Sequence, residues 1–142
     1  LAREIVGAYL PWLNTLCAGG DDGQYGSSVE HDVYAIQALS RRVHYGAMYV
    51  AESKYRLAPT EFRQLIRAGD PAALTHRLTR AEVERRVLSR VADKAGYLQA
   101  RINRTVRIAV DPDVIVDFFR TTVIPLTKEG EVRYLLNRTP DG

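Results

Sequence analysis

The fold prediction starts from Ala38–Gly46 (ALSRRVHYG) and the nearby Val50–Tyr55 (VAESKY). Apolar residues recur through this region at helical spacing and predict one long α-helix from about Glu30 to Tyr55. The same helix carries two cations, Arg42 and Lys54. Two cations that face a common space suit a small ligand with two carboxylates. The apolar residues of this helix are Val33, Ile36, Leu39, Val43 and Val50.

Helical spacing continues on both sides of this stretch. A first helix is predicted through Ile5 and Leu16, with a bend or break at Pro11, and a glycine-rich loop from Ala18 to Ser28 should follow it.

Beyond the long helix, capping signals mark three more helix starts. A short helix is expected from Thr60 through Ala68, and Asp70 is expected to cap the next helix. Thr79 and Glu82 have capping-box spacing and should open a longer one.

The last part of the chain predicts one more helix. Residues 101–109 are expected to be irregular, and Asp111 followed by Pro112 should start a helix that kinks at Pro125. Because no alternating strand pattern and no internal repeat are visible, the sequence predicts an all-α fold. Its helices, of unequal length, should pack as one bundle over residues 1–142.

Composition argues against several classes of protein. The net charge of +3 is small and mixed along the helices, so we expect no nucleic-acid partner. No apolar run approaches the length of about 18 residues that a membrane span needs. The three histidines lack metal-ligand spacing, and no metal or cofactor is expected. The single cysteine, Cys17, permits no intrachain disulfide and is expected to be a small buried residue.

Several polar residues fall on otherwise apolar helix faces. Besides Arg42 and Lys54, Arg80 and Glu84 are four residues apart, as are Thr127 and Glu131. Two cations, two carboxylates and a hydroxyl among them could converge between helices, where bundles build small-ligand sites. Taken separately, these residues have simpler explanations. Arg80 and Glu84 could form a surface ion pair, and Thr127 and Glu131 could simply be solvated.

Five segments resemble the eukaryotic, all-helical chorismate mutases, in the C-terminal portion of that family's chain. The resemblance implies conversion of chorismate to prephenate by a Claisen rearrangement, without a cofactor, by a homodimer. It implies a cytoplasmic enzyme of aromatic amino acid biosynthesis, and leaves a secreted or plastid location open. The matching segments are Leu39–Gly46, Val50–Tyr55, Leu65–Asp70, Val123–Lys128 and Glu131–Leu136.

The resemblance also implies a role for each polar residue. Arg42 would hold a substrate carboxylate, and Lys54 would donate to the ether oxygen. Glu84 would accept from the ring hydroxyl, and Thr127 would help to place a carboxylate. Glu131 would meet the ether oxygen and must be protonated to donate to it. Burial beside an anionic ligand should raise its pKa.

The sequence departs from the family between its two helix cations. These are eleven residues apart in the family, but Arg42 and Lys54 are twelve apart, which on a regular helix separates them by about 120°. A π-bulge among Gly46–Val50 would restore a common face. If the helix stays regular instead, we expect one of the two cations to miss the site. Arg80 stands where relatives often carry an uncharged residue, and could add a cation to substrate binding.

Two further departures concern regulation and completeness. Gly26 and Ser27 match a region where relatives bind tyrosine or tryptophan, but Glu30 and Asp111 replace threonines of regulated fungal enzymes. We therefore expect weak or no regulation. The family's long N-terminal helix, which supplies another substrate-binding arginine, is not recognisable here, and Arg3 does not take that role. The alternative is a catalytically weak relative that acts as an interaction protein.

Overall fold

Helices make up all the regular structure of the described residues, 1–17, 19–20, 23–102 and 109–139 of a computed structural model. The predicted all-α fold is therefore confirmed. The elements are α1 (Ala2–Leu16), α2 (Tyr25–Leu57), α3 (Pro59–Ala68), α4 (Pro71–Leu78), α5 (Ala81–Gln99), α6 (Pro112–Phe118), a π-helical turn (Phe119–Val123) and α7 (Ile124–Leu136).

Helix α2 packs most extensively against α7, along a narrow stripe of its surface. The stripe repeats every four residues and contains two alanines, which let another helix approach closely. Gly130 of α7 lies at this crossing, where an added Cβ atom would stand 2.8 Å from Cβ of Ala47. The small residues thus bring one face of α7 directly against α2. The stripe consists of Val43, Ala47, Ala51 and Tyr55.

Two clusters of buried side chains hold the helices together. One surrounds Phe62 and Leu135, which are completely buried, and joins α2, α3, α4 and α7. The other joins α1 and α2 to the region around Phe118, whose ring stacks on Trp12 at a centroid distance of 4.3 Å. Val33 and Val50, which the apolar pattern of α2 included, are exposed because the buried stripe lies on a neighbouring face.

The capping predictions have mixed outcomes. Asp70 caps α4, since its Oδ1 accepts hydrogen bonds from the backbone N–H groups of Ala72 and Ala73. The capping box at Thr79 is wrong, because this hydroxyl donates to the carbonyl of Thr75 instead. Thr60 is also not a cap, because α3 already begins at the preceding proline.

Other boundaries shift for similar reasons. α2 begins at Tyr25, so the predicted loop to Ser28 is too long, and residues 18, 21 and 22 lie outside the described residues. α1 continues through Pro11 to Leu16. Cys17 follows it and is exposed, so the prediction that it is buried is wrong. Residues 103–108 of the predicted irregular segment also lie outside the described residues.

The π-bulge that would have restored a common face of α2 does not form, because α2 is a regular α-helix through residues 46–50. A π-helical turn occurs instead directly before Pro125, where the Ile124 N–H donates to the carbonyl of Phe119. In a regular α-helix the proline ring would clash with the carbonyl four residues earlier, that of Thr121. The wider turn accommodates the ring, so the disturbance expected at Pro125 appears one turn before it.

Candidate functional site

A cavity of about 460 Å³ lies between α2, α5 and α7, beside the end of α4. Its volume is within the range of small-molecule sites. Its walls are largely aliphatic, with charged groups set among them. All six polar residues that the sequence singled out line this one cavity: Arg42, Lys54, Arg80, Glu84, Thr127 and Glu131.

Lys54 and Glu131 form the inner polar pair of the cavity. Lys54 Nζ lies 3.2 Å from Glu131 Oε2 and also donates to the carbonyl of Leu78 at 2.5 Å. Glu131 is 5% exposed. Burial raises the pKa of Glu131, and the positive charges of Lys54 and Lys128 only partly oppose that rise. A carboxyl in this position holds a proton at higher pH than an exposed one.

A second pair joins α5 to α7. Glu84 Oε1 lies 2.5 Å from Lys128 Nζ, although no described donor makes a well-angled hydrogen bond to this buried oxygen. The simpler explanation of Arg80 and Glu84, a surface ion pair between them, does not hold in the described residues. Arg80 is exposed at the N-cap of α5 and makes no ion pair in the described chain. Its cation is therefore not neutralised by a described carboxylate.

Lys128 is the charged residue of the cavity that sequence reasoning missed. It follows Thr127 and precedes Glu131 by three residues, so helical spacing places it near the same face as Glu131. That spacing could have identified it. Thr127 itself is buried, and its hydroxyl donates to the carbonyl of Val123 at 2.7 Å, which leaves the oxygen lone pairs as acceptors.

The two cations of α2 both line the cavity even though the helix is regular. The expectation that one of them must miss the site without a bulge is therefore wrong. Arg42 is an exposed residue of α2, and its guanidinium lies over Gly46, one turn further along the helix. The length of the arginine side chain, and not a change in the backbone, makes up for the additional residue.

The charges around the cavity are unequal. Two carboxylates, Glu84 and Glu131, face an excess of cations. When both carboxylates are ionised, the lining still carries two more positive than negative charges. Such a lining favours a small anion with two acidic groups. The cations are Arg42, Lys54, Arg80 and Lys128.

Gly26 and Ser27 do not line this cavity. Both are exposed in the first turn of α2, where the Ser27 carbonyl lies 2.8 Å from His31 Nδ1. Asp111 caps α6 by accepting from the Asp113 N–H. In the described part of the chain, no three His, Cys, Asp or Glu residues come close enough together to hold a metal ion. No described helix has both the length and the apolar character to cross a membrane.

Together, the fold and the cavity define an all-α protein with a cationic cavity of small-molecule size between its helices. No family model matches the chain. It is 40% identical over 126 residues to the cytosolic chorismate mutase 2 of Zea mays, covering 84% of this chain and 49% of that protein. It is also 40% identical over 120 residues to the chorismate mutase of Trichoderma parareesei, covering 80% of this chain and 44% of that protein.

Comparison of structures agrees with these sequence matches. The chorismate mutase Aro7p of Candida albicans, solved in complex with L-Trp, superimposes with a TM-score of 0.86 at 30% identity, covering 97% of this chain and 53% of that one. The chain therefore belongs to the eukaryotic, all-helical chorismate mutase family. It spans about half the length of the curated relatives it matches.

Proposed function

We propose that this protein is a chorismate mutase, an isomerase that converts chorismate to prephenate in phenylalanine and tyrosine biosynthesis. The observation that carries the proposal is the single cavity lined by the six residues and Lys128, with its excess of positive charge. Chorismate carries two carboxylates. In the rearrangement its ether C–O bond breaks and a new C–C bond forms within the same molecule, so no co-reactant is needed.

Catalysis of such a reaction needs a compact substrate conformer and charges where the transition state develops them. In this proposal Arg42 holds one carboxylate. Thr127 helps to place that acid group when its hydroxyl turns from the Val123 carbonyl toward the ligand. Arg80, which no described carboxylate neutralises, adds a cation at the edge of the cavity. Together they hold the substrate folded, with the two carbons that join close to each other.

The ether oxygen gains negative charge as its bond breaks. Lys54 donates to that oxygen, and the Leu78 carbonyl and Glu131 hold its ammonium group in place. Glu131 donates a second hydrogen bond when it is protonated, which its burial favours. Glu84, steadied by Lys128, accepts a hydrogen bond from the ring hydroxyl.

The alternative, a weakly catalytic interaction protein, has less support. It would not require the polar residues to keep a common position, yet all six line one cavity. A generic helical domain would leave them facing solvent. The relatives named above are chorismate mutases, and none of these names indicates a binding protein.

Loss of chorismate absorbance tests the proposal directly. The protein should consume chorismate, and Arg42→Ala should lower kcat/KM on the order of 10²-fold, because a charge-assisted contact to a carboxylate is lost. Arg41→Ala is the matched control, since Arg41 is the neighbouring exposed arginine of α2 and does not line the cavity. No turnover by the unaltered protein, or equal losses in both variants, would contradict the proposal.

For partners and regulation, we propose a homodimer in the cytoplasm that responds weakly to aromatic amino acids. The maize relative is named as cytosolic, whereas a petunia relative is named as chloroplastic. Glu30 and Asp111 would repel the carboxylate of an amino acid effector at Gly26 and Ser27. Turnover should therefore change less than about twofold when tryptophan is added. A several-fold change would contradict this.

A further inference from the structure

Gly46 lies in the interior of α2, where its backbone conformation gives no reason for a glycine. Its φ is not positive, and α2 is regular on both sides of it. A glycine in such a position weakens a helix relative to alanine. We infer that Gly46 is a positioning residue, which makes room for the Arg42 guanidinium to lie along α2 toward the cavity. The inference rests on the proposed function for what Arg42 binds there.

Helix geometry explains why Arg42 needs this room. Arg42, Gly46, Val50 and Lys54 follow one another at intervals of four residues. Each interval turns the helix by about 40°, so this row winds gradually from the face of Arg42 to the face of Lys54. An arginine that starts at the first position and reaches toward the cavity must pass over the second. Position 46 is therefore directly beneath its path.

The contact at Gly46 is close enough to exclude any side chain while Arg42 stays in place. A Cβ atom at this position would stand 2.5 Å from Arg42 Nη1 and 3.7 Å from Arg42 Cζ. The same atom would stand 3.8 Å from Thr127 Cγ2, so the guanidinium lies near the wall that α7 contributes to the cavity. The obstructing group is the end of a flexible side chain. An alanine would consequently displace the guanidinium and leave the helix intact.

Two other helical glycines provide the contrast. At Gly7 of α1 and Gly96 of α5, an added Cβ atom would meet no neighbouring atom within 4 Å. Alanine at either position gains helix propensity without meeting another group. Gly7→Ala is the better control, because Gly7 is exposed in the middle of α1 and does not line the cavity.

The test compares Gly46→Ala with Gly7→Ala. Both variants should unfold at a temperature equal to or above that of the unaltered protein. Gly46→Ala should also raise the KM for chorismate by about tenfold with little change in kcat, because a carboxylate contact is misplaced, whereas Gly7→Ala should leave KM within about twofold. A merely structural glycine would instead lower the unfolding temperature and leave KM unchanged, and that result would overturn the inference.

A double-mutant cycle tests whether Gly46 acts through Arg42. In the Arg42→Ala background, Gly46→Ala should have no further effect on KM, since no guanidinium remains to be displaced. An undiminished tenfold effect would contradict the inference. Crystal structures of the unaltered protein and of Gly46→Ala supply a readout independent of turnover. A guanidinium that stays in place overturns this inference, whereas failure to convert chorismate overturns the proposed function alone.

Discussion

Two carboxylates on the α2–α7 side of the molecule have opposite surroundings. Glu131 of α7 is buried, and one ammonium group, that of Lys54, lies at 3.2 Å from it. Glu52 of α2 accepts hydrogen bonds from Arg56, Arg138 and the Tyr134 hydroxyl at 2.9–3.1 Å. Burial raises the pKa of Glu131, whereas the two arginines lower the pKa of Glu52 to about 2.

The difference shows how one helix pair can hold one carboxylate as a fixed charge and another as a group that takes up a proton more readily. At Glu52 two guanidinium groups and a hydroxyl donate to one carboxylate, which favours its charged form and ties residue 138 to α2. At Glu131 the nearest cation, Lys54, also donates to the Leu78 carbonyl, and desolvation decides the direction of the pKa shift. A proton can therefore reside at Glu131 under conditions where Glu52 stays ionised.

Removing the cation at Glu131 should have the largest effect. Lys54→Met keeps most of the aliphatic stem but removes the donor to the ether oxygen, so kcat/KM should fall on the order of 10³-fold in the proposed mechanism. Chorismate absorbance measures this loss. Arg56→Ala removes a cation from the Glu52 cluster instead, and that variant should keep kcat/KM within about twofold. Similar losses in the two variants would remove the distinction between the two carboxylates.

Replacing Glu131 by its amide should change the pH dependence of turnover. The folded pKa of Glu131 is raised, and its protonated form is the proposed donor. Activity of the unaltered protein should therefore be highest at mildly acidic pH and fall by up to about tenfold per pH unit above that pKa. Glu131→Gln presents a neutral donor at every pH, so its profile should be flat over the same range.

One result of the Glu131→Gln experiment would contradict the proposed role of Glu131. If the amide variant keeps the pH profile of the unaltered protein, another group titrates and the role of Glu131 is wrong. Lys54 remains present in both proteins, which separates this experiment from the loss of the cation. A profile measured at saturating chorismate reports on the bound state, where the proposed hydrogen bond forms.

The sequence predicted which polar side chains would lie together better than it predicted the backbone that holds them. Side chains of the required chemistry stood at recognisable spacings, and the cavity brings the six together. For the backbone, the residue count allowed only a bulge in α2 or the loss of one cation from the site, because counting residues treats side chains as short and radial. Arg42 is long enough to reach along its own helix over Gly46, a solution that periodicity does not contain.

The π-helical turn shows the opposite case, in which a visible signal received an incomplete interpretation. Pro125 indicated a disturbance in the last helix, but the steric conflict of a proline falls on the preceding turn. The turn at Phe119–Val123 therefore precedes it. Contacts between residues far apart in the sequence were also not predictable. Neither the hydrogen bond from Lys54 to the Leu78 carbonyl nor the ion pair of Lys128 with Glu84 follows from local spacing.

The smallest expected effect concerns Glu52 and the donors around it. Glu52→Gln should lower the free energy of unfolding by about 1–2 kcal/mol at pH 7, since charge-assisted hydrogen bonds from Arg138 and Arg56 are weakened. Turnover should stay within about twofold, because Glu52 does not line the cavity of Glu131. Urea unfolding measures the difference. Glu82→Gln is the matched control, whose exposed pair with Arg86 should contribute less than about 0.5 kcal/mol.

Acid titration gives this last prediction a direction as well as a size. The folded pKa of Glu52, about 2, is below the ordinary value of 4.5, so its stabilising effect is complete above about pH 5. As pH falls toward 2, Glu52 of the unfolded chain is protonated first, and the contribution of Glu52 to the free energy of unfolding is lost. The stability difference between the unaltered protein and Glu52→Gln should therefore narrow between about pH 5 and pH 3. A difference that stays constant over this range would show that Glu52 stabilises α2 through packing and not through its charge.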